Sequence, residues 1–477
     1  MLRRGGFVYK TAMKTPFKLC LALTAALALS ACDTSSDKTD AKNDGDAPAI
    51  SYASTYKALP SRTTLITNAN IYDGKGEEIL GGYVLIVDGK ISALGEGSIG
   101  APEGALTVDA NGAWVTPGII DIHSHLGDYA TPGVNAHSDG NEATSPITAE
   151  VSAEHGVWPQ DPGFAEALAG GVTTLHILPG SANLFGGRGV TLRNISSRSV
   201  QGMKFPDAPY TLKMACGENP KRVYGGKGGP ASRMGNFAHY RKNWIKAADY
   251  RQKRDDGEDY TRDLQLETLA DVLDGKILVQ MHCYRADEMM QVLDMAREFD
   301  YKVTTFHHAV EAYKVADKLA ETGTCAAVWA DWWGFKMEAY DAIRENLPYL
   351  HAAGACAMIH SDSADGIQRL NQEVAKTLAD GNRAGLDISK ADAWTWLSLN
   401  PAKGLGIDEE VGSLEPGKRA DVVIWSRNPY STYARATRVY LDGALVYDRA
   451  SGLKPVSDFR LGQPGTDAPV LQPTTPQ

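Results

Sequence analysis

An apolar run ends in two histidines in the segment Val115-Thr116-Pro117-Gly118-Ile119-Ile120-Asp121-Ile122-His123-Ser124-His125. Side chains alternate between the two faces of a β-strand, so residues two positions apart point the same way. His123 and His125 can therefore reach one metal ion from a single strand end. The apolar residues before them indicate a strand buried on both faces, and imidazole suits zinc, nickel, cobalt or iron. The alternative is an ordinary pair of polar residues, and later segments of the chain favour the metal site.

Short apolar runs alternate with helical stretches between Pro117 and about Leu405. Seven runs are visible, at residues 114–123, 172–179, 210–216, 277–282, 303–308, 325–329 and 356–360, and an eighth is expected within 186–195. This alternation indicates a parallel sheet, and at this length a (β/α)8 barrel of the TIM type closes it naturally. The stretch 217–260 is expected to form a long loop with helices over the barrel mouth.

Two flanking segments have a different pattern, in which apolar and polar residues alternate as they do in half-buried strands. They cover residues 63–108 and 420–447, and Asp73-Gly74 and Asp88-Gly89 mark turns in the first of them. We expect the two segments to meet in one small β-sandwich. The predicted division is therefore 62–116 for the N-terminal part of the sandwich, 117–405 for the barrel and 406–450 for the C-terminal part.

Residues 1–31 are predicted to be an export signal. Lys14 and Lys18 precede an apolar run at 19–29, which is too short for a spanning helix and ends in Leu-Ser-Ala before Cys32. The segment resembles a bacterial lipoprotein signal, in which Cys32 becomes the lipid-modified first residue and Met13 is the candidate start. A plain secretory signal is the alternative. The resemblance implies a periplasm-facing protein anchored to a membrane of the cell envelope, and Asp33 slightly favours the inner membrane.

The remaining termini carry little that could be buried. Residues 32–61 are read as a flexible tether and 451–477 as a tail. Removing residues 1–31 takes away five basic and no acidic residues, which changes the formal net charge from −10 to −15. Such an acidic protein would repel nucleic acid, so no nucleic-acid partner is expected.

Four cysteines lie within the folded part of the chain, and each is in or beside an apolar run: Cys216, Cys283, Cys325 and Cys356. They are widely spaced and form no Cys-x-x-Cys pair, which argues against a zinc knuckle. Buried thiols are the expected state, with one disulfide as the alternative.

Later strand ends carry further histidines. The run at 277–282 ends on His282, the run at 303–308 ends on His307 and His308, and the last run leads into His360 and Asp362. The C-terminal strand ends of a (β/α)8 barrel form its active site. Histidines from the first, fifth and sixth strands and a carboxylate from the eighth would thus converge on one site.

These motifs together resemble the amidohydrolase superfamily, in the branch that includes imidazolonepropionase-like enzymes and metal-dependent prolidases. The similarity covers nearly all of residues 62–450, including Pro-Gly-Ile-Ile-Asp-Ile-His-Ser-His at 117–125, Asn-Pro-Ala-Lys at 400–403 and Gly-Ser-Leu-Glu-Pro-Gly-Lys-Arg-Ala-Asp at 412–421. The resemblance implies a metal-dependent hydrolase of a C–N bond in a small amide, dipeptide or cyclic amide. It also implies one or two divalent ions, zinc in the first place, and a tendency to form homo-oligomers.

The resemblance assigns roles to particular residues. His123 and His125 would bind the more buried metal, and His282 and His308 match the ligands of the fifth and sixth strands. Asp362 matches the eighth-strand aspartate, which touches the metal and carries the proton of the attacking water. His282 or His308 would also help to stabilise the oxyanion.

The ligand from the fourth strand is left open between two residues. Lys213 matches two-metal relatives, in which a lysine carboxylated by CO₂ bridges the ions, and Glu218 matches deacetylase-like relatives. A buried lysine is costly unless it is modified or paired, whereas Glu218 lies nearer the loop where a metal would be. His308 is preferred over His307 as the sixth-strand ligand, and His307 is then a neighbour packed on the outer face. His360 is an orienting residue or a barrel-interior residue.

Candidate substrate-binding residues lie after the second strand and in the stretch over the barrel mouth. Arg188 and Asn183 lie in the glycine-rich segment 178–189, which follows the second strand and could cradle a carboxylate or be shaped only by packing. Tyr224 lies in the lid-like stretch, which also contains the candidate cations Lys221, Arg222 and Arg233. Trp329, Trp332 and Trp333 are candidates for an apolar wall. Two alternative functions stay open, a mononuclear deaminase or deacetylase of the same superfamily and a non-catalytic binding lipoprotein on the same barrel.

Overall fold

The computed structural model describes residues 51–332 and 334–451. The predicted signal peptide with Cys32, most of the tether, Trp333 and nearly all of the tail lie outside the described residues. Within the described part no helix is long and apolar enough to cross a membrane.

The described chain contains two sheets and the helices around them. The strands are β1 (Thr64–Tyr72), β2 (Glu78–Val87), β3 (Lys90–Glu96), β4 (Leu106–Asp109), β5 (Trp114–Pro117), β6 (Ile119–Ser124), β7 (Val172–Ile177), β8 (Phe185–Arg193), β9 (Thr211–Ala215), β10 (Leu278–Cys283), β11 (Val303–His308), β12 (Cys325–Val328), β13 (Ala357–Ile359), β14 (Val422–Trp425), β15 (Ala436–Leu441) and β16 (Ala444–Asp448). The α-helices are α1 (Pro162–Ala169), α2 (Glu218–Tyr224), α3 (Arg233–Asp255), α4 (Leu264–Leu273), α5 (Ala286–Phe299), α6 (Ala316–Thr322), α7 (Asn346–Ala352), α8 (Leu370–Arg383), α9 (Lys390–Trp394) and α10 (Leu399–Gly404).

One sheet joins the two ends of the described chain. Its strand order is β16-β15-β14-β5-β1-β2-β3, and β4 pairs with β1. The two halves meet where β14 runs antiparallel to β5, with Val422 opposite Pro117. Apolar residues from both ends, among them Ile66, Val115 and Val422, share one core. The segments that flank the barrel in sequence therefore form one continuous sheet.

The second sheet is a nearly closed eight-stranded barrel whose strands follow the order of the chain from β6 to β13. Every residue of β6, β7 and β9 is buried, as the apolar runs in the sequence predict. The two edge strands are bridged beyond the end of β13, where the backbone N–H of Asp362 donates to the carbonyl of His123 at 3.0 Å. The bridge brings the last strand end directly beside the first.

One strand of the barrel departs from the predicted parallel arrangement. β8 lies where the missing strand was expected, but it runs antiparallel to both β7 and β9. A parallel connection needs a crossover of about a dozen residues or more, usually a helix. Only residues 178–184 separate β7 from β8, so the chain turns back as a hairpin.

The helices pack their apolar faces on the barrel. In α5 the residues Met289, Val292, Leu293 and Ala296 are buried, and this spacing of three and four places them on one face. The stretch 217–260 covers less of the barrel mouth than expected. Its longest helix, α3, packs Trp244 against Phe185 of β8, and only α2 borders the barrel mouth.

Two disulfide bonds replace the buried thiols that the sequence analysis expects. Cys216, just after β9, bonds Cys283 at the end of β10, with 5.2 Å between the Cα atoms. Cys325, at the start of β12, bonds Cys356 just before β13, with 4.4 Å between the Cα atoms. The prediction was wrong because neighbouring strands bring together cysteines that are far apart in sequence, at a distance that suits a disulfide.

Candidate active site

A cavity of about 460 Å³ opens at the C-terminal ends of the barrel strands. All the residues predicted as metal ligands line it, namely His123, His125, Lys213, Glu218, His282, His308 and Asp362. A larger groove of about 690 Å³ lies elsewhere on the molecule and is lined by Asp331, Lys376 and their neighbours, without any histidine. The smaller cavity is therefore the candidate active site.

The first strand end holds its two histidines as the alternation rule predicts. The Nε2 atoms of His123 and His125 lie 3.3 Å apart. Asp362 Oδ1 lies 3.6 Å from His123 Nε2 and 3.3 Å from His125 Nε2. The far nitrogen of the His125 ring, Nδ1, lies 2.9 Å from the carbonyl oxygen of Leu178, which orients that ring.

Two residues of the site have left-handed backbone conformations. The φ angle is +67° at His308 and +48° at Asp362. For residues other than glycine such angles cost about 1–3 kcal/mol and tend to cluster at functional sites. The turn at His308 also breaks strand alternation, so that His307 and His308 do not point to opposite faces.

His307 lies inside the barrel, although the sequence analysis places it on the outer face. Its Nδ1 lies 2.8 Å from Nδ1 of His123, and its Nε2 lies 2.7 Å from Oε1 of Gln280. Because β11 stops alternating at His308, two consecutive histidines both turn inward. His308 reaches the cavity, whereas His307 contacts His123 from behind.

Lys213 and Glu218, the two candidates from the fourth strand, occupy different surroundings. The Nζ atom of Lys213 lies 3.5 Å from Nε2 of His123, within the buried strand β9. Burial lowers the pKa of this lysine to about 7. Glu218 is the first residue of α2, and its Oε1 lies 3.6 Å from Nζ of Lys336 at the rim. The structure thus brings Lys213 to the histidines and Glu218 to a cation.

Four buried histidine ring nitrogens have no hydrogen-bond partner among the described residues. They are Nδ1 of His282, Nδ1 of His308 and both nitrogens of His360. Burial lowers the pKa of His282 and His308 well below the usual value, and that of His360 to about 3. These imidazoles are therefore neutral at pH 7, which is the state in which a histidine binds a metal.

The described residues contain two groups of side chains that could hold a metal ion. One consists of His123, His308 and His360, and the other of His123, His125 and Asp362. In each group the ligand atoms all lie within 4.8 Å of one another. Imidazole nitrogens and a carboxylate together form a ligand set that suits zinc. The buried histidine nitrogens without a hydrogen-bond partner are free to bind such an ion. The residues therefore fit a divalent ion.

The proposed proton carrier, Asp362, is held in its ionised form. Desolvation in the cavity acts to raise the pKa of its carboxyl group. The hydrogen bond from His125, together with the charge of that ring when it is protonated, outweighs this effect and holds the pKa below its usual value. At neutral pH the group is a carboxylate that can accept a proton.

The three predicted substrate-binding residues do not reach the cavity. The Arg188 guanidinium donates to Oγ1 of Thr268 at 2.9 Å, and Tyr224 is buried away from the cavity lining. Asn183 donates to the carbonyl oxygens of Glu142 and Ser145, in a loop about forty residues earlier in the chain. The glycine-rich segment itself does reach the cavity, through Gly180 and Ser181.

The cavity is also lined by residues that the sequence analysis did not single out, among them Tyr129, Asn141, Ser181, Asn219, Tyr284 and Lys336. Tyr284 stands two positions after His282, so strand alternation could have pointed to it. Lys336 lies 4.0 Å over the Tyr284 ring, in a loop with no recognisable motif. Trp329, a candidate for the predicted apolar wall, stacks on His308 with 4.4 Å between ring centroids but does not line the cavity.

The chain is similar to several known proteins. A family model described as the amidohydrolase family matches residues 114–446. Amidohydrolase tasK of Hapsidospora irregularis is 32% identical over 395 residues, which are 77% of this chain and 39% of the relative, so the chain spans well under half of that protein. The imidazolonepropionase of Cupriavidus taiwanensis is 26% identical over 75% of this chain and 90% of its own length. The crystal structure of an amidohydrolase from Thermotoga maritima MSB8 is 36% identical, with a TM-score of 0.75 over 81% of this chain and all of that chain.

Proposed function

The chain belongs to the amidohydrolase family, and we propose that it hydrolyses an amide, peptide or cyclic amide bond of a small substrate with the help of a divalent metal. Members of this family are hydrolases that act on C–N bonds. One observation carries the proposal. Histidines from β6, β10 and β11, a buried lysine from β9 and the aspartate after β13 line the same cavity at one end of the barrel. Its volume, about 460 Å³, suits a molecule the size of a dipeptide.

We assign the metal, zinc in the first place, to ligands from five strand ends: His123, His125, Lys213, His282, His308 and Asp362. A divalent ion at this place would polarise the scissile carbonyl and lower the pKa of water. His360 is an added candidate, because its ring nitrogens are buried without a partner beside His123 and His308. Glu218 is not assigned as a ligand, because its carboxylate pairs with Lys336.

Lys213 is proposed to carry a carboxylate group. Carboxylation requires the neutral amine, which attacks CO₂, forms the N–C bond and releases a proton. With a pKa of about 7, Lys213 is substantially neutral at physiological pH, unlike an ordinary lysine. The product would supply two oxygen ligands within the histidine cluster, which supports a site for two ions.

Proton transfer is assigned to Asp362. Its Oδ1 lies 3.3 Å from His125 Nε2, so the carboxylate is fixed over the ligand cluster. It would take the proton of the attacking water and deliver it to the leaving nitrogen. His282 and His308, which face the same cavity, would stabilise the oxyanion that forms at the carbonyl.

The same chain is proposed to act outside the cytoplasm as a lipid-anchored protein. Two disulfides support an oxidising compartment, because such bonds are rare in cytosolic proteins. The lipoprotein-like signal ending at Cys32 supports a periplasm-facing anchor, with the inner membrane favoured by Asp33. The oligomeric state is proposed only as a homo-oligomer of undetermined size.

A second candidate is a mononuclear deaminase. The 5-methylthioadenosine/S-adenosylhomocysteine deaminase of Symbiobacterium thermophilum is 25% identical over 74% of this chain and 82% of its own length. A one-metal site of that kind, or one like that of a deacetylase, would leave Lys213 unmodified. Two ions per chain would therefore argue against it.

The test begins with the purified chain and its metal content, together with its intact mass under native conditions. We expect two zinc ions per chain and a mass increment equal to CO₂. Turnover of a panel of N-acyl amino acids, dipeptides, cyclic amides and aminopurine nucleosides should disappear with 1,10-phenanthroline and return with Zn²⁺. Asp362→Asn should lose turnover and retain most of the metal, because five of the six assigned ligands remain. A chain that binds no metal and turns over nothing in the panel would favour the non-catalytic binding lipoprotein, and a chain that is equally active without metal would overturn the metal-dependent mechanism.

A further inference from the structure

A row of hydrogen bonds approaches His123 from the side of its ring that faces away from the cavity. His123 Nδ1 lies 2.8 Å from His307 Nδ1, and His307 Nε2 lies 2.7 Å from Gln280 Oε1. At the far end, Gln280 Nε2 donates to the carbonyl oxygen of Gly404 at 3.0 Å. The three side chains are at most 1% exposed, and each contacts the next within hydrogen-bond distance.

Because the row ends at the carbonyl oxygen of Gly404, the position of each hydrogen along it can be assigned. A backbone carbonyl only accepts, so Gln280 must turn its NH₂ group to Gly404 and its Oε1 to His307. An amide oxygen also only accepts, so the hydrogen of a neutral His307 is on Nε2. His307 Nδ1 is then an acceptor, and the hydrogen between the two rings belongs to His123 Nδ1.

The remaining nitrogen of His123 is thereby defined as well. With its hydrogen on Nδ1, neutral His123 has a free lone pair on Nε2. That atom faces the candidate metal ligands, 3.3 Å from His125 Nε2 and 3.5 Å from Lys213 Nζ. In the opposite tautomer an N–H would point into the cluster and no lone pair would be available to a cation.

We propose that Gln280 and His307 are positioning residues, which hold His123 as the Nδ1–H tautomer and so present its Nε2 lone pair to the metal. The inference rests on the metal site of the proposed function and adds two residues to it. His125 shows why two are needed, since its own Nδ1 is held directly by the Leu178 carbonyl, a group that can only accept. His307 can donate or accept, so a further residue must fix its tautomer.

The first test uses the wild-type, metal-free chain labelled with ¹⁵N-histidine. Long-range ¹H–¹⁵N spectra distinguish a protonated ring nitrogen from one with a free lone pair, and the spectrum of His123→Gln assigns the His123 signals. We expect hydrogen on Nδ1 of His123 and on Nε2 of His307. Hydrogen on Nε2 of His123 would overturn the proposal, and only the assignment of the signals requires a folded variant.

The second test measures Zn²⁺ affinity by competition with a chelator, with circular dichroism as the check on folding. His307→Phe and Gln280→Met should weaken binding about 10–100-fold, the usual cost of losing an outer partner of a metal ligand. His307→Gln should recover most of the affinity, because its amide oxygen can accept from His123 Nδ1. A merely structural role would not distinguish phenylalanine from glutamine in this way.

His176→Gln is the matched control. His176 is also fully buried in the barrel, but it bonds Ile122 O and Thr211 Oγ1 and has no part in the row. Its replacement should leave Zn²⁺ affinity unchanged. If His307→Phe folds and binds Zn²⁺ as tightly as wild type, the row has no positioning role, although the metal-dependent hydrolase stands. If wild type binds no Zn²⁺, the proposed function fails, while the tautomer of His123 is still decided by the spectrum.

Discussion

Lys213 is the residue whose surroundings distinguish best between the possible forms of this site. It is a fully buried amine 3.5 Å from a histidine nitrogen, and the charge of Asp362 only partly opposes the effect of burial on its pKa. Such a group is unfavourable as a cation, because desolvation opposes its charge. Carboxylation would convert it from an isolated buried amine into an anion beside the metal ligands.

Replacing Lys213 by methionine tests this assignment. Lys213→Met keeps an unbranched side chain only one heavy atom shorter but cannot be carboxylated, so we expect the second ion to be lost and kcat/KM to fall by at least about 100-fold, or roughly 3 kcal/mol of transition-state stabilisation. Metal content and kcat/KM are the measurements. Glu218→Gln is the control and should change both by less than about threefold. The reverse pattern, with metal lost only in Glu218→Gln, would identify Glu218 as the ligand.

At the scale of elements, the disulfide Cys216–Cys283 joins the ends of the two strands that carry Lys213 and His282. We expect Cys216→Ala/Cys283→Ala to lower the free energy of unfolding by about 2–4 kcal/mol, the usual contribution of such a bond. It should also weaken Zn²⁺ binding several-fold, because the two strand ends are released from one another. Thermal denaturation and chelator competition measure the two effects.

The other disulfide provides the comparison for that experiment. Cys325 and Cys356 lie at the starting ends of their strands, away from the cavity lining. Cys325→Ala/Cys356→Ala should reduce stability by a similar amount and leave Zn²⁺ affinity as in wild type. Equal losses of affinity in both double variants would mean that the first disulfide acts only through overall stability.

The closing Gly-Ser-Leu-Glu-Pro-Gly motif contains a second testable element, a cluster around Glu415. Hydrogen bonds from Lys75 and from Ser413 lower the pKa of Glu415 to about 2, against 4.5 for the free side chain. A carboxyl group with a lowered folded-state pKa stabilises the fold above its unfolded pKa, and this contribution is lost as the pH falls through the folded pKa. The cluster should therefore contribute fully above about pH 4.5 and progressively less toward pH 2.

Glu415→Gln should lower stability at pH 7 by no more than about 1 kcal/mol, because the pair is partly exposed and screened by solvent. The difference from wild type should shrink between pH 4.5 and pH 2, which urea denaturation at several pH values would measure. Glu409→Gln, at an exposed position in the same region, is the control and should show no such trend. A difference that is constant with pH would exclude the ionised carboxylate as its cause.

The sequence predicted elements best where one local rule was sufficient. Strand alternation placed His123 and His125 on one face, and apolar runs marked the barrel strands, including the one at β8. The direction of β8 depends on the short loop before it, and the disulfides depend on which strands are neighbours. His307 was misplaced because a left-handed φ at His308 cancels the alternation, and nothing in the two-residue pattern signals that angle.

At the scale of the whole molecule, the proposed lipid anchor at Cys32 is open to a direct test. The described chain begins at residue 51, some twenty residues after Cys32. If Cys32 is acylated, it would attach the chain to a membrane surface.

Cys32→Ala tests this arrangement in the full chain expressed in a Gram-negative host. Cys32 is the single proposed lipidation site, so the variant should move from the membrane fraction to the soluble fraction. Fractionation with immunodetection and the mass of the N-terminal peptide are the measurements. Cys20→Ala, in the part of the signal that would be removed, is the control and should stay with the membrane. A Cys32→Ala protein that remains on the membrane, or an unmodified N-terminal peptide in wild type, would mean that the chain is exported without a lipid, and its residence near the membrane would then need a protein partner.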